Sequence, residues 1–436
     1  MKNLLLYFLL LTTVFVSCRK DDTKPIMGNV DERLNETLTA YQTQLAGAAY
    51  GWKAVVFPSK GYGFGHFFKF DDKNRVTMYS DFNLEGQTKS LESSYRLKAL
   101  QQPTLLFDTY SYLHILQDPT PSLSEGGELG QGWYADFEFK FVSATTDTIK
   151  LTGLYNQSPL VLVRASKEDY DSYNAKGLEV MDEATQEYVS QPTFKYLDLG
   201  DGKQIQCNID PNTKSFVMIY KDNSNSIVAP ITQFGYMNSS LFLKEYVSFN
   251  GVAFNELFWD NVKESFYVKV GGKRYDFQNS ATAPFNLNSL LGVSFNTLDI
   301  DTSVPLEGAS PDFMLKVDSF KALCEAAYGL TLTNMTFKFK PVNNTMILDC
   351  IVLQEGRAFI ATFPFSYTKD ANNVYKFQQI PAGNNGNAGL LVSFIKPIFD
   401  VLNADKFTLD YFNVRLGQFK SIERPGFYFS GNLIKN

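Results

Sequence analysis

The sequence predicts a mainly β chain of antiparallel, sandwich- or barrel-like sheets with a few helices, α+β overall. Three observations predict it. Aromatic residues are abundant, with 38 Phe and 24 Tyr in 436 residues, and they alternate with polar ones at the period of two that puts one row of a strand on a core. Pairs of such runs flank bends of Asn, Asp or Gly. Segments with helical spacing punctuate this β material. A composition 44% hydrophobic and 20% charged belongs to a globular chain with material for two or three cores.

The first element is a leader: Met1, the single cation Lys2, a mostly apolar run from Leu4 to Val16, and Ser17 before Cys18. Residues 1–17 read as a secretory signal, too short to span a hydrocarbon core that needs about 20 apolar residues. Phe15-Val16-Ser17-Cys18 resembles the bacterial lipobox, with Phe15 where Leu is commoner. Cys18 is therefore the expected lipidation site, and two or three acyl chains, at about 0.8 kcal/mol per buried methylene, would make a stable anchor. Residues 18–28 form a tether. Its Lys20-Asp21-Asp22 resembles the lysine-plus-acidic-pair export signal that sends lipoproteins of Bacteroidetes to the outer face of the outer membrane.

A helix is expected from Val30 to Tyr50, with Leu34, Leu38, Tyr41 and Leu45 on one stripe, a capping box from Asn29 to Glu32, and Gly51 to stop it. Next, HFFKFDDKNRVTMYSDF reads as two strands around a turn at Asp71 to Asn74. In ADFEFKFV, Phe137, Phe139 and Phe141 share a face opposite Asp136, Glu138 and Lys140. A second helix begins at Ser166, capped with Asp169, and runs patchily to about Tyr188 despite Gly177. FVMIYKDNSNSIVAP, SFYVKVGGKRYDF and MTFKFKPVNNTMILDCIV read as further hairpins. A third helix follows Asp318 and ends at Gly329, and LLVSFIKPIFDVL reads as helical with a break at Pro397. Three helix-then-strands blocks result, 29–165, 166–307 and 308–436, with SVPLEGASP at 303–311 as the clearest composition break.

The formal charge of −6 and the lack of a basic stripe with interleaved aromatics exclude general nucleic-acid affinity. With Cys18 acylated, Cys207, Cys324 and Cys350 remain, an odd number whose spacing matches no zinc ribbon and which read as buried small hydrophobes. The chain has two histidines. A zinc site of His66 and His114 with Asp71, Asp108 or Asp118 would require strands to bring them together, and neither has HExxH-type spacing. GYGFGH at 61–66 has the glycines of a phosphate loop without its lysine, and reads better as a tight strand or hairpin. No serine has a nucleophile-elbow context. Asp72 with Asn74, and Asp222 with Asn225, read as turn residues rather than calcium ligands.

ERLNETLTAYQTQLAGAAYGWKA at 32–54, SSYRL at 93–97, LLFDTYSYLHILQDP at 105–119, ADFEF at 135–139 and KLTG at 150–153 resemble the Bacteroidetes lipoproteins grouped as domain of unknown function 4302. The resemblance implies a surface or periplasmic lipoprotein beside outer-membrane uptake systems for glycans or other nutrients, and it carries over no catalytic residues.

The expected function is thus an outer-membrane surface lipoprotein that binds glycan or peptide without catalysis, held to the membrane through Cys18 and partnered with an uptake complex; no cofactor is expected. Two alternatives stand beside it. A structural partner of an outer-membrane complex is one. A carboxylate-dependent hydrolase is the other, with Asp136 and Glu138 roughly 6 to 7 Å apart on one strand face. On a solvated face, changing both would move stability by less than about 0.5 kcal/mol. Of the tryptophans Trp52, Trp133 and Trp259, Trp52 is expected to be buried.

Overall fold

The computed structural model describes residues 30–99, 102–200 and 202–435, so the leader, the tether and the cap expected at Asn29 lie outside the described residues. The fold is mostly antiparallel β. Two compact units divide the chain, one ending at Leu178 and the other beginning at Glu179.

In the first unit, α1 (Val30–Ala46) precedes a closed barrel of eight strands, each paired with its neighbours in sequence. They are β1 (Trp52–Val56), β2 (Phe64–Phe70), β3 (Arg75–Ser80), β4 (Leu91–Ala99), β5 (Pro103–Phe107), β6 (Glu138–Ala144), β7 (Thr148–Gly153) and β8 (Pro159–Arg164). β1 closes on β8 with Trp52 opposite Arg164. The turn expected at Asp71 to Asn74 joins β2 and β3 because the Asp71 carboxylate accepts from the N–H groups of Lys73 and Arg75 and Asn74 takes the left-handed conformation. Trp52, Phe64, Phe68, Phe70, Tyr95, Phe107 and Phe139 fill the interior. Leu45 of α1 joins that core, and Tyr41 stacks on Phe141 at 3.8 Å. Trp52 is fully buried, its indole N–H donating to the Leu45 carbonyl at 3.1 Å.

Short helices α2 (Leu84–Thr88) and α3 (Tyr112–Ile115) lie in the connections. Gly61, at φ 84°, lets the Trp133 ring lie against the backbone, since a Cβ there would fall 2.5 Å from Cε3. That contact accounts for Gly61 of the GYGFGH run without any phosphate. α4 (Lys167–Asn174) carries the expected Ser166–Asp169 capping box, and its Tyr173 packs on Phe67 at 4.7 Å. The helix is interrupted where Lys176 adopts φ 65°, and α5 (Gly177–Ser190) follows as a separate helix.

The second unit contains two further β systems. The first is a sheet of β9 (Phe194–Leu197), β10 (Ile205–Asp210), β11 (Ser215–Lys221), β12 (Ile227–Val228), β13 (Ile231–Met237), β14 (Ser240–Phe249), β15 (Val252–Asp260), β16 (Ser265–Val270), β17 (Lys273–Asp276) and β18 (Gln278–Ser280). β17 pairs with β16, whereas β18 pairs with β9. The single residue between them, Phe277, is buried and donates its N–H to Phe266. The bent segment of β17 and β18 thus pairs with both β16 and β9, and the sheet curls into a second barrel-like circuit.

The third system is a closed eight-stranded barrel: β19 (Thr297–Asp301), β20 (Thr331–Lys340), β21 (Thr345–Gln354), β22 (Arg357–Lys369), β23 (Val374–Gln379), β24 (Lys406–Tyr411), β25 (Leu416–Ser421) and β26 (Tyr428–Ile434). Its first strand lies before the composition break at 303–311. A short α6 (Leu287–Leu290) precedes it, and two long helices interrupt it, α7 (Pro311–Tyr328) after β19 and α8 (Gly386–Ala404) after β23. α7 starts earlier than the sequence reading placed it, because Ser310 caps it and Pro311 occupies the first turn, where a missing N–H costs nothing. It ends, as expected, at left-handed Gly329. α8 runs through Pro397 without ending, with Ile395, Ile398 and Phe399 all buried.

Along β24, Phe407 and Leu409 are buried while Lys406, Thr408 and Asp410 are exposed. Apolar rows inward and polar rows outward are the reverse of a membrane-spanning barrel. Among the described residues, no helix is long and apolar enough to cross a membrane.

Candidate ligand cleft

Asp136 and Glu138 do not form the solvated carboxylate pair that strand alternation predicts. Asp136 lies before β6 and is only 3% exposed. Its oxygens accept from the N–H groups of Tyr155, Asn156 and Ser158 and from the Ser158 hydroxyl at 2.7 Å. A Cβ on Gly153 would come within 2.0 Å of Oδ2. Asp136 therefore clamps the β7–β8 turn and has no face turned to a substrate, while Glu138 is half-buried at the start of the strand.

The histidines are likewise occupied. His66 is buried, with Nδ1 at 3.1 Å from the Phe64 carbonyl and Nε2 at 3.2 Å from Ser80 Oγ. His114 pairs with Ser111 Oγ and stacks on Phe137 at 4.6 Å, and burial lowers its pKa below the ordinary value. Among the described residues, no group of three or more His, Cys, Asp or Glu is placed to hold a metal. Cys207, Cys324 and Cys350 are buried free thiols whose pKa values burial raises. Asp222 accepts from the backbone of Ser224 and Ser226, which is turn chemistry. Cys18, Lys20, Asp21 and Asp22 lie outside the described residues.

A site that the sequence reading missed lies within the second unit, where β9, β10 and the end of α5 face residues of the third barrel across a cleft of about 460 Å³. Alternation along β9 puts Lys195 on the same face as Leu197, and Phe194 on the other, where its ring meets Tyr411 edge-on at 4.9 Å. Lys195 Nζ donates to Gln191, Thr193 and Asn279 at 2.6 to 2.8 Å and sits 4.3 Å over the Tyr188 ring. Burial lowers its pKa to about 8.

Gln206 lies between Ile205 and Cys207 on β10, on the face where an isolated barrel would meet water, yet it is 2% exposed. Its Nε2 reaches Asn208 Oδ1 at 3.3 Å, and its Oε1 is buried without a hydrogen-bond partner. Tyr411, from β24, interacts with the Gln206 amide, and burial pushes its phenol up to about 12. At the cleft Arg415 is exposed, with its N–H held by Asn413 Oδ1. Asp210 contributes the one carboxylate among the lining residues, and it is turned into its own bend, accepting from Asn212 N–H and Thr213 Oγ1. Aromatic walls, amides and cations without converging carboxylates suit recognition of a polar molecule.

A family model described as "Domain of unknown function (DUF4302)" matches residues 27–261, more than half of the chain. No curated protein sequence matches it. Among solved structures, the chain aligns with "Caulobacter crescentus pol III beta" at 7% identity, covering 92% of this chain and 98% of that one, with a TM-score of 0.15. It also aligns with isotype 1 transferrin binding protein B from serogroup B Neisseria meningitidis at 9% identity, covering 88% and 76%, with a TM-score of 0.14. Scores this low carry no argument about fold or function.

Proposed function

We propose, from the premise that the chain belongs to the DUF4302 family, that it is an outer-membrane lipoprotein that captures a nutrient ligand without transforming it. In this reading acyl chains on Cys18 anchor it, Lys20, Asp21 and Asp22 direct it to the cell exterior, and it serves as an accessory module of an uptake complex. The observation that supports the binding role is the cleft of about 460 Å³, a volume within the range of small-molecule sites. Screening the full-length protein against glycan and peptide panels should reveal a ligand that is bound and recovered unchanged. Turnover of that ligand would replace the reading with a hydrolase. Mass spectrometry of the mature amino terminus tests the anchor, which fails if Cys18 carries no lipid.

A further inference from the structure

We infer that the cleft of the second unit is a subsite for an acidic saccharide, a hydroxyl-rich ring bearing a carboxylate. The inference rests on the binding role proposed above and names the ligand class of that site. Three features of the cleft carry it.

The first is charge. Lys195 and Arg415 both line the cleft, and among the described residues no carboxylate pairs with either. Asp210 opposes them with oxygens already engaged by its own turn. In a chain of net charge −6, this is a local positive field. Lys195 spends its three donors on Gln191, Thr193 and Asn279, so it supplies potential, whereas the exposed guanidinium of Arg415 has the planar fork that receives a carboxylate.

The second is an orphaned amide oxygen. A buried polar atom without a partner costs about 1 to 3 kcal/mol, and Gln206 Oε1 is such an atom in the lining of the cleft. A ligand hydroxyl that meets this oxygen once the Gln206 side chain turns toward the cleft removes that cost. Asn208, Asn212, Gln186 and Asn432 add further carboxamides to the lining, each offering a donor and an acceptor to vicinal hydroxyls.

The third is shape. Phe194 and Tyr411 give half-buried aromatic surface on which the apolar face of a sugar ring packs while its hydroxyls reach the amides. An acidic peptide would also meet Arg415, but it brings few hydroxyls to a lining this rich in amides.

Titration calorimetry on the detergent-solubilised full-length protein provides the test, with three probes: a glucuronate-containing disaccharide, the same disaccharide with its carboxylate reduced to the alcohol, and an acidic dipeptide. The acidic disaccharide should bind about tenfold tighter than either of the others, a difference of about 1.4 kcal/mol. Arg415→Gln, an exposed change, should remove most of the acidic preference, leaving only what the Lys195 potential supplies, without moving the melting temperature. Gln206→Leu should weaken both saccharides, with melting used to confirm the fold, and Gln206→Glu should repel the acidic one selectively. Equal affinity for the two saccharides, tighter binding of the dipeptide, no binding of any probe, or an acidic preference undiminished by Arg415→Gln overturns the inference. A panel ligand whose binding ignores both positions sinks this site while leaving the binding role intact; no panel ligand at all sinks the role itself.

Discussion

The first and third barrels share a topology and differ in what locks it. Each is a closed meander of eight antiparallel strands around an aromatic interior. In the first, the buried carboxylate of Asp136 ties the β7–β8 turn to the segment preceding β6, through four donors. In the third, helices do the tying. Phe399 of α8 sits edge-on against Phe363 and Phe365 of β22 at 5.0 and 5.2 Å, and Ser310, the cap of α7, exchanges hydrogen bonds with Tyr428 of β26. The difference teaches that a meander constrains strand pairing but leaves the means of securing its ends to the connections. A polar clamp suits a tight turn, and an apolar wedge suits a long insertion.

The largest effect should come from the wedge. Phe399→Ala should cost about 3 to 5 kcal/mol and raise hydrogen exchange in β22 and β23 while leaving β1 to β8 unchanged; exchange rising equally in both barrels would break the comparison. Asp136→Ala strands buried donors and should cost about 3 kcal/mol, with the exchange confined to the first barrel. Glu138→Gln, beside it, should be nearly silent in the same experiment.

The two serine caps sharpen the contrast. Ser166 caps its helix within one capping box, so Ser166→Ala should cost about 1 kcal/mol. The Ser310 hydroxyl accepts from both Phe313 and Tyr428, and Ser310→Ala should cost about twice as much, since a strand N–H is orphaned with the helix N–H. Denaturant melts decide it, and equal losses would mean that Tyr428 does not depend on the cap.

The smallest effect is one of pH. Both histidines belong to the first unit, and burial lowers the His114 pKa from 6.5. The unfolded chain therefore takes up the proton first, so stability present above about pH 6.5 is lost as pH falls through the folded value. Exchange in the first barrel should rise on mild acidification, and His114→Phe should flatten that dependence; a dependence that persists in the variant assigns it elsewhere.

What was legible in the sequence was local. The bends at Asp71 to Asn74 and at 271 to 272, the Ser166 cap and the burial of Trp52 each follow from a few adjacent residues. Closure did not, because nothing near Trp52 names Arg164 as its partner. Asp136 was misread because alternation assigns it to a polar face, whereas the deciding contacts come from residues 155 to 158, folded back against Gly153. The cleft was hidden for the same reason. Gln206 lies on the opposite face from the core residues Ile205 and Cys207, and the contacts that accompany its burial, Tyr411 among them, come from far along the chain. Ser310-Pro311 is different: the serine-then-proline signature of a helix start is legible in the sequence, inside a segment that composition alone reads as a linker.

Closure by first and last strands also sets an order of arrival. A chain delivered amino terminus first can zip β19 to β20, β21 and onward as each hairpin appears, since every pairing but one is between neighbours. The remaining pairing, Thr297 with Ile434, waits for β26. Until then both flanks of the growing sheet present unpaired N–H and C=O groups, a template for any extended chain nearby. Protection from intermolecular assembly is therefore acquired in one step, when β26 pairs with β19, and a chain clipped before Tyr428 would carry Thr297–Asp301 and Leu416–Ser421 as two permanent open edges.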